Sequence, residues 1–285
     1  MSRDHLKLQI VVILWGFTAV LGELISLSAA SLVLYRTALA ALILLIWQGR
    51  RVQVPHRDKI AFTLTGFVIG AHWITFFEAV KVANVSICMA GIATLSLWTA
   101  ILEPLMARER KFRSLDLLFG LIVALGVIVI FQSELRFGKG LLIALASAIL
   151  AAVFSVINSF HVSKASHHVI TCYEMFGAAL FTAAYLFIFT PEASLTWTAW
   201  DWLWLPVLAL FCTVIAFSQY VELLKRMSVF TINFANNLEP IYGILLASLI
   251  FQDYRDLNQG FYLGALIIIT SICAYPFFQR TSPSS

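Results

Sequence analysis

Ten apolar stretches follow one another along this chain, at residues 8–27, 31–48, 60–80, 84–106, 115–132, 139–160, 169–189, 203–224, 229–250 and 258–278. Each reaches the roughly 17–25 residues that a helix needs to cross a bilayer. In hydrocarbon every backbone N–H and C=O must be satisfied within its own segment, so such stretches can only be helices. Composition agrees: 61% of the 285 residues are hydrophobic and 12% charged, against about 45–50% and about 25% in soluble domains. No interior of this size could hide so much apolar surface without lipid as its solvent. The expected class is an all-α polytopic membrane protein of ten transmembrane helices. No hydrophilic domain remains outside these spans, so its chemistry takes place inside the membrane.

The chain also repeats itself. Residues 76–120 moved forward by 144 place Glu78 on Glu222, Lys81 on Lys225, Val85 on Val229, Leu102 on Leu246, Leu105 on Leu249 and Gly120 on Gly264. Glu109 then meets Asp253, and Lys111 meets Arg255. A unit holding five spans must enter the bilayer upside down the second time. The expected organisation is therefore two inverted five-helix repeats, 1–137 and 138–285. Loop charge fits the inversion. Arg108-Glu109-Arg110-Lys111-Phe112-Arg113 is strongly basic, whereas its mate Gln252-Asp253-Tyr254-Arg255-Asp256 is acidic on balance. With both termini in the cytoplasm, fourteen Lys and Arg lie inside and four (Lys81, Arg136, Lys139, Arg255) outside, while Arg36 falls within a span. The positive-inside rule favours that orientation, and the charge bias fits a bacterial inner membrane.

A cleaved leader is the rival reading of the amino terminus, because Arg3 and Lys7 precede the apolar run Leu8–Leu21 and Ser28-Ala29-Ala30 offers small residues. Glu23 near the end of the run, and a first repeat left one helix short, favour a span instead. Cys88, Cys172, Cys212 and Cys273 sit in apolar runs and read as core residues. Basic residues are scattered at helix ends, which excludes a nucleic-acid surface. No H-E-x-x-H, G-x-S-x-G or G-x-x-x-x-G-K-[ST] pattern occurs, so no enzyme, metal centre or ATP-driven pump is expected, and no cofactor. His167-His168 stands without nearby Cys or carboxylate ligands. An intramembrane enzyme, or a receptor or scaffold in the membrane without transport activity, remains the alternative to a transporter.

Several motifs resemble the EamA-type members of the drug/metabolite transporter superfamily. They are Trp15-Gly16, Tyr35-Arg36, Phe77-Glu78-Ala79, Arg108-Glu109-Arg110 followed by Gly120, and Glu239-Pro240 with Asp253 and Gly264. The resemblance covers essentially the whole chain, and order, spacing and inverted repetition carry it. It implies a secondary transporter of small organic metabolites working by alternating access. Amino acids or related compounds, moved outward, are the expected cargo. One departure stands out: Pro240 corresponds to Ser96, and Pro104 comes eight residues after that position. A kink in the fourth span is thus expected to be displaced.

An ionisable group in a bilayer core costs about 2.5–3.5 kcal/mol on insertion scales, so each one needs a reason. The ninth span holds Asn233, Asn236, Asn237, Glu239 and Pro240. Asn236 and Glu239 share a face, and Pro240 withholds a donor from a carbonyl near residue 236. A polar ligand would find partners there; the rival reading is interhelical glue worth about 1 kcal/mol per Asn. The fourth span offers Ser96, Thr99 and Glu103 on one face beside Trp98, with Glu103 near enough to the arginines to be an interfacial carboxylate. His72 at mid-span suits ligand binding or proton transfer, or else a neutral ring bonded to a carbonyl. Phe154, Asn158 and His161 form a stripe, with Asn158 bordering a cavity and His161 solvated; Gln219 is a further lining amide.

The expected binding set is thus His72, Ser96, Trp98, Asn158, Gln219, Asn236 and Glu239. Glu78, Glu103 and Glu222 near helix ends suit gating ion pairs. Arg36 reads as structural or gating by the resemblance, or as snorkelling to the outer interface. Its counterpart Tyr173-Glu174, at offset 138, carries the opposite charge. Pro240 and Tyr173 complete the gating or structural set. Glu239 and His72 are the candidates for carrying a coupled proton, whereas exchange or facilitated diffusion needs neither. Beyond a small-molecule substrate, the lipid bilayer and a coupled proton, the expected partner is a second copy, with monomer and homodimer both open. Trp197, Trp200, Trp202 and Trp204 between the seventh and eighth spans read as interfacial anchors.

Overall fold

A computed structural model describes residues 3–107, 110–193, 195–252, 255 and 257–281. The helices are α1 (Arg3–Leu24), α2 (Ala29–Gln48), α3 (His56–Val82), α4 (Val85–Met106), α5 (Ser114–Ser133), α6 (Gly138–His161), α7 (His167–Phe189), α8 (Asp201–Leu223), α9 (Val229–Ala235 continued by Leu238–Ile250) and α10 (Gln259–Thr281). Nine of them, among the described residues, are individually long and apolar enough to cross a membrane; α9 is interrupted at Asn236–Asn237. Large apolar side chains point outward, with Phe187 84% and Leu249 80% exposed. In water such a surface would aggregate; facing lipid it needs no cover. The chain is an integral membrane protein. Arg108, Glu109, Asp253, Tyr254 and Asp256 of the sign-swapped loops lie outside the described residues, as do the side chains of Arg50, Arg51 and Arg280.

Contacts between helix ends fix the direction of each helix. Lys7 and Asp4 at the start of α1 pair with Glu222 (3.3 Å) and Arg226 (2.7 Å) at the end of α8. At the opposite end, Lys81 near the end of α3 donates to the Ile25 carbonyl just after α1, 2.7 Å away. Mates α3 and α8 therefore run in opposite senses. Local chemistry repeats as well. Asn84 and Ser228 each cap the following helix by accepting the N–H three residues on, from Ile87 and Thr231. Ser28 and Ser166 do the same for Ser31 and Val169. The first pair is 144 residues apart and the second 138. Part of the difference lies where the connection after α7 (190–200) exceeds the one after α2 (49–55). Each cap satisfies a helix-end donor that would otherwise cost about 1 kcal/mol.

Both α4 and α9 break midway, α4 at Ala93–Thr94 between Ile92 and Leu95, and α9 at Asn236–Asn237. This corrects the expected displaced kink, because Pro104 sits inside the continuous second half of α4. The freed carbonyl expected from Pro240 is corrected too: Asn236 O accepts from Glu239 N at 2.8 Å, and Phe234 O from Asn237 N at 3.1 Å. Tight turns keep the backbone satisfied where water is absent. The middle of α8, Leu208–Ile215, is wound as a π-helix, a form that concentrates at functional sites.

Small residues set the closest crossings. A Cβ on Gly66 would strike the Glu174 carbonyl, and one on Gly177 would strike Thr63, so α3 and α7 touch backbone to backbone. Gly126 and Gly264 do the same for α5 and α10, each against the other's carbonyl at 2.8 and 2.5 Å. Close approach of this kind holds helices together where lipid offers no hydrophobic drive.

Candidate functional site

The breaks in α4 and α9 face a central cavity. Its wall comprises Trp15 and Thr18 of α1, Arg36 of α2, His72, Trp73 and Phe76 of α3, and Ile92 and Leu95 of α4. Ala151, Phe154 and Ser155 of α6, Phe217 and Tyr220 of α8, and Asn233, Asn236 and Glu239 of α9 complete it. The cavity measures about 50 Å³, well below the roughly 300–1,000 Å³ of sites that enclose a drug-sized ligand. The helices around it must part before an organic solute can enter.

Six aromatic rings form the apolar side of this wall. Trp15 and Tyr220 lie 5.3 Å apart between centroids, Phe217 and Tyr220 5.5 Å, Trp73 and Phe217 5.8 Å, and Phe154 and Phe217 6.0 Å. Phe76 closes one flank beside His72, 6.2 Å away. The polar side faces these rings. Arg36, 1% exposed, lays its guanidinium over the Trp73 ring at 3.9 Å. Its Nε donates to Thr213 Oγ1 (2.7 Å) and its Nη2 to the Cys212 carbonyl (3.3 Å). Trp15 Nε1 donates to the same carbonyl at 3.1 Å. Both acceptors belong to the π segment of α8, which aims the arginine inward.

Arg36 was expected to be structural or gating, or else to snorkel to the outer interface. The snorkelling reading is overturned, because desolvated partners on α8 and the Trp73 face hold the side chain at the centre. Glu239 lines the same cavity and acts electrostatically on Arg36. Among the described residues neither forms an ion pair within 4.0 Å. A guanidinium and a carboxyl group therefore stand in one chamber without forming an ion pair.

His72 is held by Ser147 of α6. Ser147 Oγ donates to the His72 carbonyl at 2.9 Å, so the ring donates from Nδ1 to the Ser147 carbonyl (2.9 Å) and hydroxyl (2.8 Å). That assigns the tautomer from the network and leaves Nε2 as the acceptor. The ring is thus both bonded to a neighbouring carbonyl and part of the cavity wall. Asn233 donates to Thr99 Oγ1 (2.9 Å) and accepts from Ser155 (3.4 Å), tying α9 to α4 and α6. Four polar atoms of the wall have no hydrogen-bond partner among the described residues: Thr18 Oγ1, Arg36 Nη1, Tyr220 OH and Asn236 Oδ1. A buried polar atom left so costs about 1–3 kcal/mol. Four in one chamber is an arrangement suited to a polar ligand.

Of the seven residues expected to bind, the structure brings together His72, Asn236 and Glu239. Ser96, Trp98, Asn158 and Gln219 lie off the cavity. Ser96 and Asn158 are buried in helix packing, and Trp98 and Gln219 are half-buried. His161, expected to be solvated, is buried, with Nε2 3.0 Å from Thr65 Oγ1. Glu103 pairs with Arg110 at 2.7 Å and accepts the Phe230 N–H at the start of α9. Glu222 bridges Lys7 and Arg226, while Glu78 is exposed and forms no ion pair among the described residues. Tyr173 donates to the Val52 carbonyl at 3.0 Å, and Pro240 sits buried in the first turn after the break. Tyr35 donates to Leu195 O and its ring meets Trp197 edge-on, while Trp200 and Trp202 are exposed. Cys273 is exposed, and the other three cysteines are buried and free.

The aromatic wall was missed because single Trp and Phe residues in apolar runs look like lipid or core packing. Arg36 carried a usable signal, as the sole basic residue within a span.

No curated protein matches this chain in sequence. A solved crystal structure of a protein shares 15% identity with it over 100% of both chains, at a TM-score of 0.72, a likeness of fold. The model of the EamA-like transporter family matches residues 5–132 and again 138–275. That double match covers nearly the whole sequence, and this chain belongs to the EamA-like transporter family, whose members are transporters of small molecules.

Proposed function

We propose that the protein is a secondary transporter of small zwitterionic metabolites, amino acids or close relatives with an apolar or aromatic side chain, moved outward across a bacterial inner membrane. Arg36 and Glu239, a guanidinium and a carboxyl group lining one buried cavity without pairing directly, carry this reading. A solute carboxylate would meet the Arg36 guanidinium and the Asn236 side chain would serve its ammonium together with Glu239. The rings of Trp15, Trp73, Phe154, Phe217 and Tyr220 would take up an apolar side chain by contact and cation–π attraction. Such a solute replaces the missing partners of the wall, which compensates for leaving water.

Two halves divided near residue 137 would rock about this chamber with both termini in the cytoplasm. The cluster of Asp4, Lys7, Glu222 and Arg226 would latch the cytoplasmic side. On the other side, Asp201 accepts from Ser26 N (2.9 Å), Ser26 Oγ (2.6 Å) and Thr198 N (2.8 Å), tying the α1–α2 turn to α8.

The test is flux of a panel of radiolabelled amino acids, simple amines and simple carboxylates through purified protein in liposomes. Zwitterions should move faster than either singly charged class. Equal rates for amines and zwitterions, or no saturable flux of any zwitterion, would sink the assignment.

A further inference from the structure

One ionisable group within the helices has no part in this cavity. Glu174 of α7 is fully buried, and neither carboxylate oxygen has a hydrogen-bond partner among the described residues. The amide of Asn158, on α6, lies beside it. Yet both polar atoms of that amide stay outside hydrogen-bond geometry, as does Thr171 Oγ1 one turn earlier on α7. Asn158 and Thr171 are also fully buried. A carboxylate, an amide and a hydroxyl together without partners is far outside normal packing. An uncompensated negative charge is the costliest item in such a place, while a neutral carboxyl beside an amide is complementary.

Among the described side chains the surroundings supply no counter-charge; those of Arg50 and Arg51, in the turn Gly49–Val52, lie outside them. Helices α2, α3 and α8 and the turn Gly49–Val52 pack against α7, with α6 reaching it through Asn158. On α2 the one charged side chain, Arg36, is committed to the cavity. On α3, His72 is bonded to Ser147, Asp58 pairs with Lys164 and Lys81 binds Ile25 O; His56, Arg57 and Lys59 lie at its start, Glu78 near its end. On α8, Asp201 and Glu222 are engaged at the two ends, leaving Tyr220 as the titratable group that feels Glu174 electrostatically. On α6, His161 bonds Thr65, which adjoins Gly66 against the Glu174 backbone, and Lys139 sits at the far end. On α7 itself, Tyr173 binds Val52 O and Cys172 points to Ala41 O, while His167 and His168 open the helix.

Position adds a second argument. Glu174 follows its cap Ser166 as Arg36 follows Ser28, so the two are mates across the inverted repeat. Arg36 faces the cavity and Glu174 does not. When inverted halves rock into the opposite-facing form, each takes up the surroundings its mate had. Glu174 would then gain the cavity-facing position that Arg36 holds here. A group buried in one form and reachable in the other is what a carried proton requires. Glu239 differs in that it lines the solute cavity together with Arg36.

We propose that Glu174 is a proton-binding site, separate from the solute cavity and linked to it through Tyr220, that ties solute movement to a proton gradient. The coupling part rests on the transport reading above. The carboxylate takes one proton from water on one side and becomes a carboxyl whose O–H donates to Asn158 Oδ1. It returns that proton to water on the other side, and no electron moves.

Infrared spectroscopy of the purified protein tests the site without any solute. A neutral-carboxyl C=O band should be present at neutral pH, disappear in Glu174→Gln and persist in Glu239→Gln. Asn158→Ala, which keeps the carboxyl but removes its neighbour, should shift the band; this serves if Glu174→Gln does not fold. No such band, or one unchanged in Glu174→Gln, overturns the proposal. Coupling is read with labelled phenylalanine in liposomes. A one-unit pH gradient, about tenfold in protons, should stimulate wild-type flux, and in Glu174→Gln the ratio with and without gradient should fall to about one. A Glu174→Gln flux still driven by pH, or a wild-type flux driven by sodium instead, overturns it. If the wild type moves no zwitterion, the transport reading falls and the infrared result alone decides the site.

Discussion

Arg36 and Glu239 show how much one side chain depends on what surrounds it. A guanidinium in hydrocarbon is tolerated here because Thr213, the Cys212 carbonyl and the Trp73 ring replace its water. Its remaining Nη1 is the atom left for a solute carboxylate. Charge-assisted hydrogen bonds contribute about 1.5–3 kcal/mol, so Glu239→Gln should weaken apparent affinity for zwitterions roughly 10–100-fold. Arg36→Lys should do the same, since a lysine cannot keep the two anchoring bonds and still present a donor inward. KM for labelled amino acids in liposomes, with thermal unfolding to confirm the fold, checks both; unchanged KM in either variant would remove that residue from the site. Glu239, Asn236 and His72 were legible in the sequence because polar atoms inside apolar runs are conspicuous. Ser96, Asn158 and Gln219 were equally conspicuous yet face elsewhere, since residue type does not reveal which way a helix is turned.

At the level of elements, broken helices and bare crossings do different work. The interruptions of α4 and α9 bring Ile92, Leu95, Asn233, Asn236 and Glu239 around one chamber while short turns keep the backbone bonded. The α3–α7 crossing instead depends on having no side chain in the way. Gly177→Ala would drive a methyl into the Thr63 backbone, which has nowhere to retreat. The expected loss is about 1–3 kcal/mol of stability, seen as a lower unfolding temperature in detergent. Gly138→Ala is the comparison: its added carbon meets only the Phe131 ring, at 3.4 Å, and should change little. Similar unfolding temperatures for the two variants would refute the packing argument. The breaks were only partly legible. Pro240 marked the region of one, but α4 breaks without a proline, at a place set by its packing against α6 and α9.

For the molecule as a whole, the two ends are held by unlike means. One side relies on the Asp4, Lys7, Glu222 and Arg226 ion pairs, half-exposed on the basic members. The other relies on neutral donors to Asp201 and on Lys81. Each exposed pair contributes about 0.2–1 kcal/mol, so Arg226→Gln should shift the balance toward the form open on that side by roughly two- to fivefold. Maleimide labelling of Ser155→Cys, in a background with the native cysteines replaced, should rise by that factor. Labelling that stays the same would show that these pairs do not act as a latch. Hydropathy, loop charge and the recurring register were enough to establish ten membrane helices in two opposed sets of five, because a bilayer leaves a backbone few other choices. The location of the chamber, its aromatic wall and the inward turn of Arg36 were settled only in three dimensions. They depend on helix rotation and on contacts between residues far apart in sequence, and hydrophobic periodicity carries little about either when both faces of a helix are apolar.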